Sequence, residues 1–257
     1  MNAINAPTIY VKNAYLRFKN KTLFQDLNLT LLGGKLTCLL GTSGVGKTTL
    51  LRLIAHLYTP ETLHQEEIYF EGDIHSNQEL LLQHQISYMA QTDLLLPWLT
   101  VLDNVLLGSR LRRSNLHSER AHELLSHVGL GDALHLFPHE LSGGMRQRVA
   151  LVRTLMENKK VVLMDEPFSA LDAITRYKLQ TIASTLLRDH TVLLVTHDPF
   201  EALRLADEIY IMSGSPACLH SPLKLRGHTP RDLSSQEIIN LQPLLFAELL
   251  KASEVNR

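Results

Sequence analysis

The residues Gly41-Thr42-Ser43-Gly44-Val45-Gly46-Lys47-Thr48-Thr49 fit the phosphate-binding pattern G-x-x-x-x-G-K-[ST]. Glycines let the backbone wrap an anion, so that its N–H groups and the positive end of a following helix face the phosphates. In that arrangement Lys47 reaches the β- and γ-phosphates and the Thr48 hydroxyl ligates Mg²⁺. A second chemical segment is Val161-Val162-Leu163-Met164-Asp165-Glu166, an apolar run ending in two carboxylates. A strand buried on both faces has this form, and its end delivers Asp165 to a Mg²⁺ shell. Glu166 follows directly, where a carboxylate can orient or deprotonate an attacking water. A third is Leu141-Ser142-Gly143-Gly144, a glycine-rich turn with Ser142 placed to cap a helix, and so a second anion-facing helix start.

These residues need elements to hold them. Leu36 to Leu40 has a strand's length, and Leu50 to Ala55 continues as a helix, which is the context that gives the phosphate motif its meaning. Ahead of it, Ile9-Tyr10-Val11, Ala14 to Phe18 and Leu27 to Leu31 read as antiparallel strands, with Lys19-Asn20-Lys21 as a turn. Phe18 ends a strand just before that turn. It is either a ring on which an adenine stacks or an ordinary core phenylalanine.

After Thr59-Pro60-Glu61 the pattern is mixed, with a strand at Ile68-Tyr69-Phe70 and a turn at Glu71-Gly72-Asp73. Ile86 to Ala90 reads as a buried strand ending at Gln91, and helical spacing runs from Val101 to Arg112 and from Glu119 to Val128. The helix opened at Ser142 continues through Met156, and another is expected from about Thr175 to Leu187. Thr191 to Thr196 is a strand ending at His197-Asp198, followed by a helix over Glu201 to Ala206 and a strand over Glu208 to Met212. Ser215 to His228 reads as loop, and Gln236 to Ala252 as an amphipathic helix.

Composition bounds the rest. The chain has 257 residues, 45% of them hydrophobic, enough for one large domain with a well-filled core. A formal net charge of −1 supplies no broad basic field, so nucleic acid is not an expected partner. No apolar run approaches the ~18–20 residues of a membrane span, and the first residues lack the features of a signal peptide. Two cysteines, Cys38 and Cys218, make no disulfide framework. The expectation is a cytosolic protein that meets a membrane only through a partner. His117, His122, His127, His135 and His139 show no metal-ligand spacing and read as surface residues.

Taken in order, the phosphate loop, the Leu141-Ser142-Gly143-Gly144 turn, the strand ending Asp165-Glu166 and the strand ending His197 resemble the ATP-binding subunit of ATP-binding-cassette transporters. The resemblance covers roughly Ile9 to Gly214. It implies an α/β fold: a phosphate-loop NTPase core, an N-terminal antiparallel β subdomain and an α-helical signature subdomain at about 92–155. The cassette then spans 1–230, and 231–257 is a short C-terminal helical extension. It implies that Phe18 is the adenine-stacking aromatic, that Gln91 senses Mg²⁺ and the γ-phosphate and links to the membrane subunit, and that Asp165 belongs to the metal shell. Glu166 is then the catalytic base and His197 the switch histidine. Ser142, Gly143 and Gly144 contact the nucleotide of the opposite subunit, because in the family fold the two anion sites of one chain lie too far apart to share a phosphate. Ser169-Ala170-Leu171-Asp172 resembles the segment that joins the two sites.

The chain departs from the family's commonest residues at Met145, Lys35 and His56, none of which removes a catalytic group. The implied ligands are ATP and Mg²⁺. The implied partners are a second copy of the chain, integral membrane permease subunits and, indirectly, a periplasmic solute-binding protein, with the chain at the cytoplasmic face of the membrane. The segment Leu94 to Val105, with its Leu96-Pro97-Trp98, narrows the resemblance to nitrate, sulfonate and taurine importers, and Leu106-Leu107-Gly108-Ser109-Arg110-Leu111 with Thr196-His197-Asp198-Pro199 to hydroxymethylpyrimidine importers within that group. The expected cargo is therefore a pyrimidine precursor of thiamin, with a sulfonate, taurine or nitrate as alternative. Trp98 is expected at a permease-facing surface, the alternative being the core. A soluble cassette ATPase of translation or DNA repair is disfavoured by the single cassette and the lack of a heptad run. A phosphate-loop kinase would not need the Leu-Ser-Gly-Gly turn.

Overall fold

A computed structural model describes residues 6–58, 67–78 and 81–254. The stretch beginning Thr59-Pro60-Glu61 lies outside the described residues up to position 66. The centre is a parallel array whose strands are mostly apolar: β3 (Leu36–Gly41), β5 (Ile86–Met89), β6 (Val161–Asp165), β7 (Thr191–Val195) and β8 (Glu208–Gly214). They lie in the order β8-β3-β7-β6-β5. β6 and β7, at the middle of the array, are buried at every position, and their near-continuous apolar runs are what burial on both faces demands.

The side chains alternate accordingly. Leu39, Leu163, Leu193 and Val195 pack on one face with Leu50, Leu51, Leu53 and Ile54 of helix α1 (Lys47–Ile54). Cys38, Leu40, Val162, Met164, Val192 and Leu194 meet the helices on the other face. Those helices are α2 (Val101–Val105), α4 (Ser118–His127), α5 (Gly143–Met156), α6 (Ala173–Leu186), α7 (Pro199–Leu205) and α8 (Gln236–Glu254); α3 (Leu107–Leu111), which follows α2, contributes no side chain to that core. The helical run expected from Val101 to Arg112 is thus two short helices that meet at Leu106.

The antiparallel part consists of β1 (Ile9–Phe18), β2 (Lys21–Leu31) and β4 (Ile68–Ser76), ordered β4-β1-β2. Ile9-Tyr10-Val11 and Ala14 to Phe18 are one strand, bent by register shifts rather than broken. Glu71-Gly72-Asp73 is not a turn. It lies inside β4 at a bulge opposite β1, where Lys12 faces Asp73 and Tyr15 faces Glu71. Gly72 has φ +133°, and a Cβ there would meet the Ala14 Cα at 2.8 Å. The residue types that suit a turn suit a bulge for the same conformational reason.

The segment read as loop after Gly214 contains β9 (Ala217–Leu219) and β10 (Leu223–Lys224), both antiparallel to β8. β9 also pairs with β2 at Phe24, which joins the two parts of the sheet. No helix among the described residues is long and apolar enough to cross a membrane.

Candidate nucleotide site

The chemistry-bearing residues collect at the carboxyl ends of the parallel strands, where open α/β sheets place their ligands. β3 runs into the phosphate loop. Gly46, with φ +113°, is the N-cap of α1, and the Leu23 side chain sits 3.2 Å from where its Cβ would be. The loop thus presents Gly41, Thr42, Ser43, Gly44, Val45 and Gly46 ahead of the α1 residues Lys47, Thr48 and Thr49. Lys47 is buried and donates from Nζ to the carbonyl oxygens of Gly41 (2.7 Å) and Thr42 (2.9 Å). Burial lowers its pKa, against the attraction of Glu166 and Asp165. A cleft beside the loop is lined by Lys21, Thr22, Leu23, Gly214 and Ser215. Phe18 is half-buried at the end of β1, packed against the apolar cluster that contains Val45.

β6 ends at Asp165, which is buried and hydrogen-bonded to the Thr48 side chain. Burial raises its pKa. Its Oδ2 is buried with no hydrogen-bond partner. A carboxylate oxygen in that position costs free energy unless something pairs with it. A hard divalent cation, which takes oxygen ligands, fits this oxygen and the adjacent hydroxyl. No group of three or more His, Cys, Asp or Glu residues that could cage a metal occurs among the described residues. The five histidines His117, His122, His127, His135 and His139 are all exposed.

Glu166 follows in the left-handed region at φ +49°, a conformation that costs a non-glycine residue about 1 kcal/mol or more. Its N–H donates to the Val195 carbonyl at 2.9 Å. Its side chain joins two residues that are distant in sequence. Gln91 Nε2 donates to Oε2 at 3.3 Å, and His197 Nδ1 lies 3.2 Å from Oε1. Gln91, Glu166 and His197 therefore form one group, facing outward where β5, β6 and β7 end.

The Ser142 side chain caps α5 by accepting from the Met145 N–H at 3.2 Å. Gly144 lies against the next segment: a Cβ there would meet Leu171 Cδ2 at 3.3 Å and the Ala170 carbonyl at 3.4 Å. Two arginines of α5 hold the chain that follows Gln91. Arg146 pairs with Asp93 at 3.0 Å, and Arg153 donates to the carbonyls of Asp93 (2.6 Å) and Leu94 (2.8 Å). Buried Asn104 then fixes the next turn, accepting from the Leu96 N–H at 2.8 Å and donating to the carbonyls of Leu96, Leu99 and Thr100. The turn displays Trp98, which is 69% exposed beside an equally prominent Leu94. Trp98 is a surface residue.

The sequence reading did not single out a buried polar set beneath His197. Glu201 accepts from Gln180 Nε2 at 3.2 Å, and Arg204 donates to Gln180 Oε1 at 2.8 Å while lying 3.6 Å over the Tyr177 ring. Arg176 links the Leu171 carbonyl to Asp198, the cap of α7. The only sequence signal was a glutamate at a helical position facing the core.

Burial pushes the Glu201 carboxyl up to about 7 from an ordinary 4.5. The native state then keeps a proton that the unfolded chain releases between those values, so this group's stability contribution is complete below pH 4.5 and is lost as pH rises to about 7. The loss amounts to about 3 kcal/mol at 1.36 kcal/mol per unit. Glu201→Gln keeps the acceptor for Gln180 and removes the titration. Urea unfolding at pH 5 and pH 8 should show the variant losing less stability than the wild type over that interval. An unchanged difference would refute the assignment.

Comparison with known proteins agrees with this geometry. The family described as ABC transporter matches residues 24–169. The chain is 43% identical over 246 residues to an uncharacterized ABC transporter ATP-binding protein of Haemophilus influenzae, covering 94% of this chain and 98% of that one. It is 45% identical to the aliphatic sulfonates import ATP-binding protein SsuB 1 of Rhodococcus jostii, over 92% of this chain and 91% of that one. Among solved structures, the dimeric bacterial ABC transporter cassette MJ0796 superposes with a TM-score of 0.72 at 28% identity, covering 85% of this chain and 99% of that one. A post-hydrolysis dimer of the same cassette bound to ADP and Pi matches equally well. The chain belongs to the ABC transporter family, as an ATP-binding cassette whose ATP hydrolysis is coupled to transport.

Proposed function

We propose that two copies of this chain close over two ATP molecules and drive a membrane permease that imports aliphatic sulfonates. The observation behind the hydrolytic part is the convergence of Gln91 and His197 on the two carboxylate oxygens of Glu166. The group sits next to the phosphate loop, and the dimeric neighbour supports the two-copy arrangement. Glu166 is the base toward the attacking water, and His197 and Gln91 orient it. Lys47 neutralises the β- and γ-phosphates, the N–H groups from Gly41 to Thr49 cradle them, and Phe18 stacks on the adenine. Ser142, Gly143 and Gly144 complete the site of the other copy. Thr48 and Asp165, with Gln91 beside them, would hold Mg²⁺, which supplies charge neutralisation at the β- and γ-oxygens.

The cargo rests on the relatives rather than on the site, because the ATPase does not touch the solute. The reported relatives with a named cargo are aliphatic sulfonate import proteins, from Rhodococcus jostii and Pseudomonas syringae among others. They favour the sulfonate alternative over the pyrimidine precursor, which finds no support among them. Leu94 and Trp98 form the contact with the permease, since an exposed apolar patch on a rigid turn marks an interface. A periplasmic solute-binding protein then delivers the sulfonate, and the chain sits at the cytoplasmic face of the membrane.

A deletion strain should fail to grow with an aliphatic sulfonate as sole sulfur source while growing on sulfate. The wild-type gene should restore growth, and a Trp98→Ala gene should not, although its product keeps the wild-type melting temperature. Normal growth of the deletion strain on sulfonates, paired with lost uptake of a pyrimidine precursor, would overturn the cargo. A large drop in the melting temperature of Trp98→Ala would overturn the docking role.

A further inference from the structure

Gln147 lies one turn into α5, buried, with its side-chain amide spent on a segment that is distant in sequence. Its Nε2 donates to the carbonyl oxygen of Glu166 at 3.0 Å and lies 3.4 Å from Ser169 Oγ. Its Oε1 accepts the Ala170 N–H at 2.8 Å. One orientation of the amide satisfies both ends, so the residue discriminates between donor and acceptor as well as filling space.

The peptide it grips is an unusual one. Glu166 is in the left-handed region, and such a conformation persists where its surroundings over-determine it. Here the Glu166 N–H is held by the Val195 carbonyl, and its carbonyl is held by Gln147 and by Ser169 Oγ at 3.0 Å. Of these three, Gln147 alone comes from α5, the helix that begins at Ser142. The same helix start meets Ala170 and Leu171 at Gly144, so α5 and the segment 166–171 move together or strain against each other.

We propose that Gln147 is a positioning residue that ties the Ser142–Gly144 turn to the backbone of Glu166. Seating that turn on the partner's nucleotide is thereby transmitted to the carboxylate that serves the chain's own nucleotide. This deepens the proposed function and rests on its two premises, that Glu166 is the base and that the turn completes the other copy's site. The amide is the chemical requirement. Methionine keeps the length and volume of the side chain but offers neither bond. Glutamate keeps the acceptor for Ala170 and turns an oxygen toward the Glu166 carbonyl, where two acceptors repel.

The full chain is purified as wild type, Gln147→Met and Gln147→Glu, and ATP hydrolysis is measured with MgATP. Both variants should lower kcat by ~10–100-fold, as for a reacting group displaced by a fraction of an ångström. KM for ATP should stay within about twofold, because a loss confined to the transition state leaves binding alone. In a Glu166→Gln background, Gln147→Met should still form the ATP-dependent dimer, since the residue acts on the aim of the carboxylate and not on closure.

A folded Gln147→Met enzyme with wild-type kcat would overturn the proposal, as would a raised KM at unchanged kcat or loss of the dimer in the double variant. If Gln147→Met is poorly folded, Gln147→Glu carries the same kcat-against-KM test. Glu166→Gln alone separates the two levels of inference. Full turnover in that variant removes the base assignment itself, whereas a dead Glu166→Gln beside an unaffected Gln147→Met removes only the coupling.

Discussion

Glu166→Gln should turn the chain from an ATPase into a trap that holds two ATP molecules between two copies. The substitution keeps the side chain's size and leaves the left-handed backbone and its bonds to Val195 and Gln147 in place. It removes the basic carboxylate, whose loss costs typically ~10²–10⁴-fold in rate. It also puts an NH₂ where one of two oxygens now meets Gln91 Nε2 or His197 Nδ1, at 3.3 and 3.2 Å. The groups proposed to bind the triphosphate, Lys47 foremost, are untouched. ATP should therefore bind, close the dimer and stay. Adding Ser142→Arg should abolish that dimer, because bulk and positive charge then stand at the capped start of α5, which in the proposed dimer faces the other copy's nucleotide. Size-exclusion chromatography of both variants with ATP and Mg²⁺ reads the outcome. Full turnover by Glu166→Gln would refute the base. An ATP-bound Glu166→Gln protein that stays monomeric would show that closure needs the permease.

What was legible in the sequence was chemistry carried by contiguous residues. The phosphate loop announces itself because one short stretch must supply the glycines, the lysine and the hydroxyl together. Asp165 and Glu166 are visible because an apolar strand of uniform burial stops at them. His197 is visible in the same way, just past the end of β7, and Gln91 follows the shorter, half-buried β5; the structure brings both to Glu166.

Roles defined across the fold were not legible. Gln147 looks like any polar residue on an amphipathic helix until Ala170 and Glu166 come up against it. Glu201 and Asn104 likewise acquire meaning from partners that only folding supplies. The errors in secondary structure have two physical origins. A Glu-Gly-Asp triplet signals a positive φ, and a bulge uses that as readily as a turn does. Strands as short as β9 and β10 owe their existence to the waiting edge of β8 more than to their own residues. The cargo lay beyond reach for a different reason, since no residue of this chain need touch it.

Lys47→Ala should abolish hydrolysis while leaving the fold nearly as stable as before. In the folded chain the ammonium is already buried at the mouth of α1, held by the carbonyls of Gly41 and Thr42. Burial lowers its pKa, so the folded state disfavours the charge that the unfolded chain carries freely. At neutral pH this opposes folding, and the opposition fades as pH rises through the folded-state pKa toward the unfolded one. Removing the side chain gives up two hydrogen bonds and some packing but also releases that desolvation cost. The two effects oppose each other, and the apo melting temperature should change little.

Function has no such compensation. In the proposed site the cation neutralises the β- and γ-phosphates, and losing one preorganised electrostatic contact costs ~10²–10³-fold in rate before any loss of binding is added. ATP should also lose most of its stabilising effect. A ligand at a hundred times its Kd raises stability by about 2.7 kcal/mol, and a variant that binds weakly forfeits this. Thermal melts at pH 7 with and without MgATP, run beside a turnover assay, separate the possibilities. Wild type should melt higher with MgATP, and Lys47→Ala should melt at nearly one temperature in both conditions. A variant that keeps the full ATP-induced shift and wild-type turnover would refute the role of Lys47. One whose apo form melts far below wild type would show that the two carbonyl contacts hold the phosphate loop together.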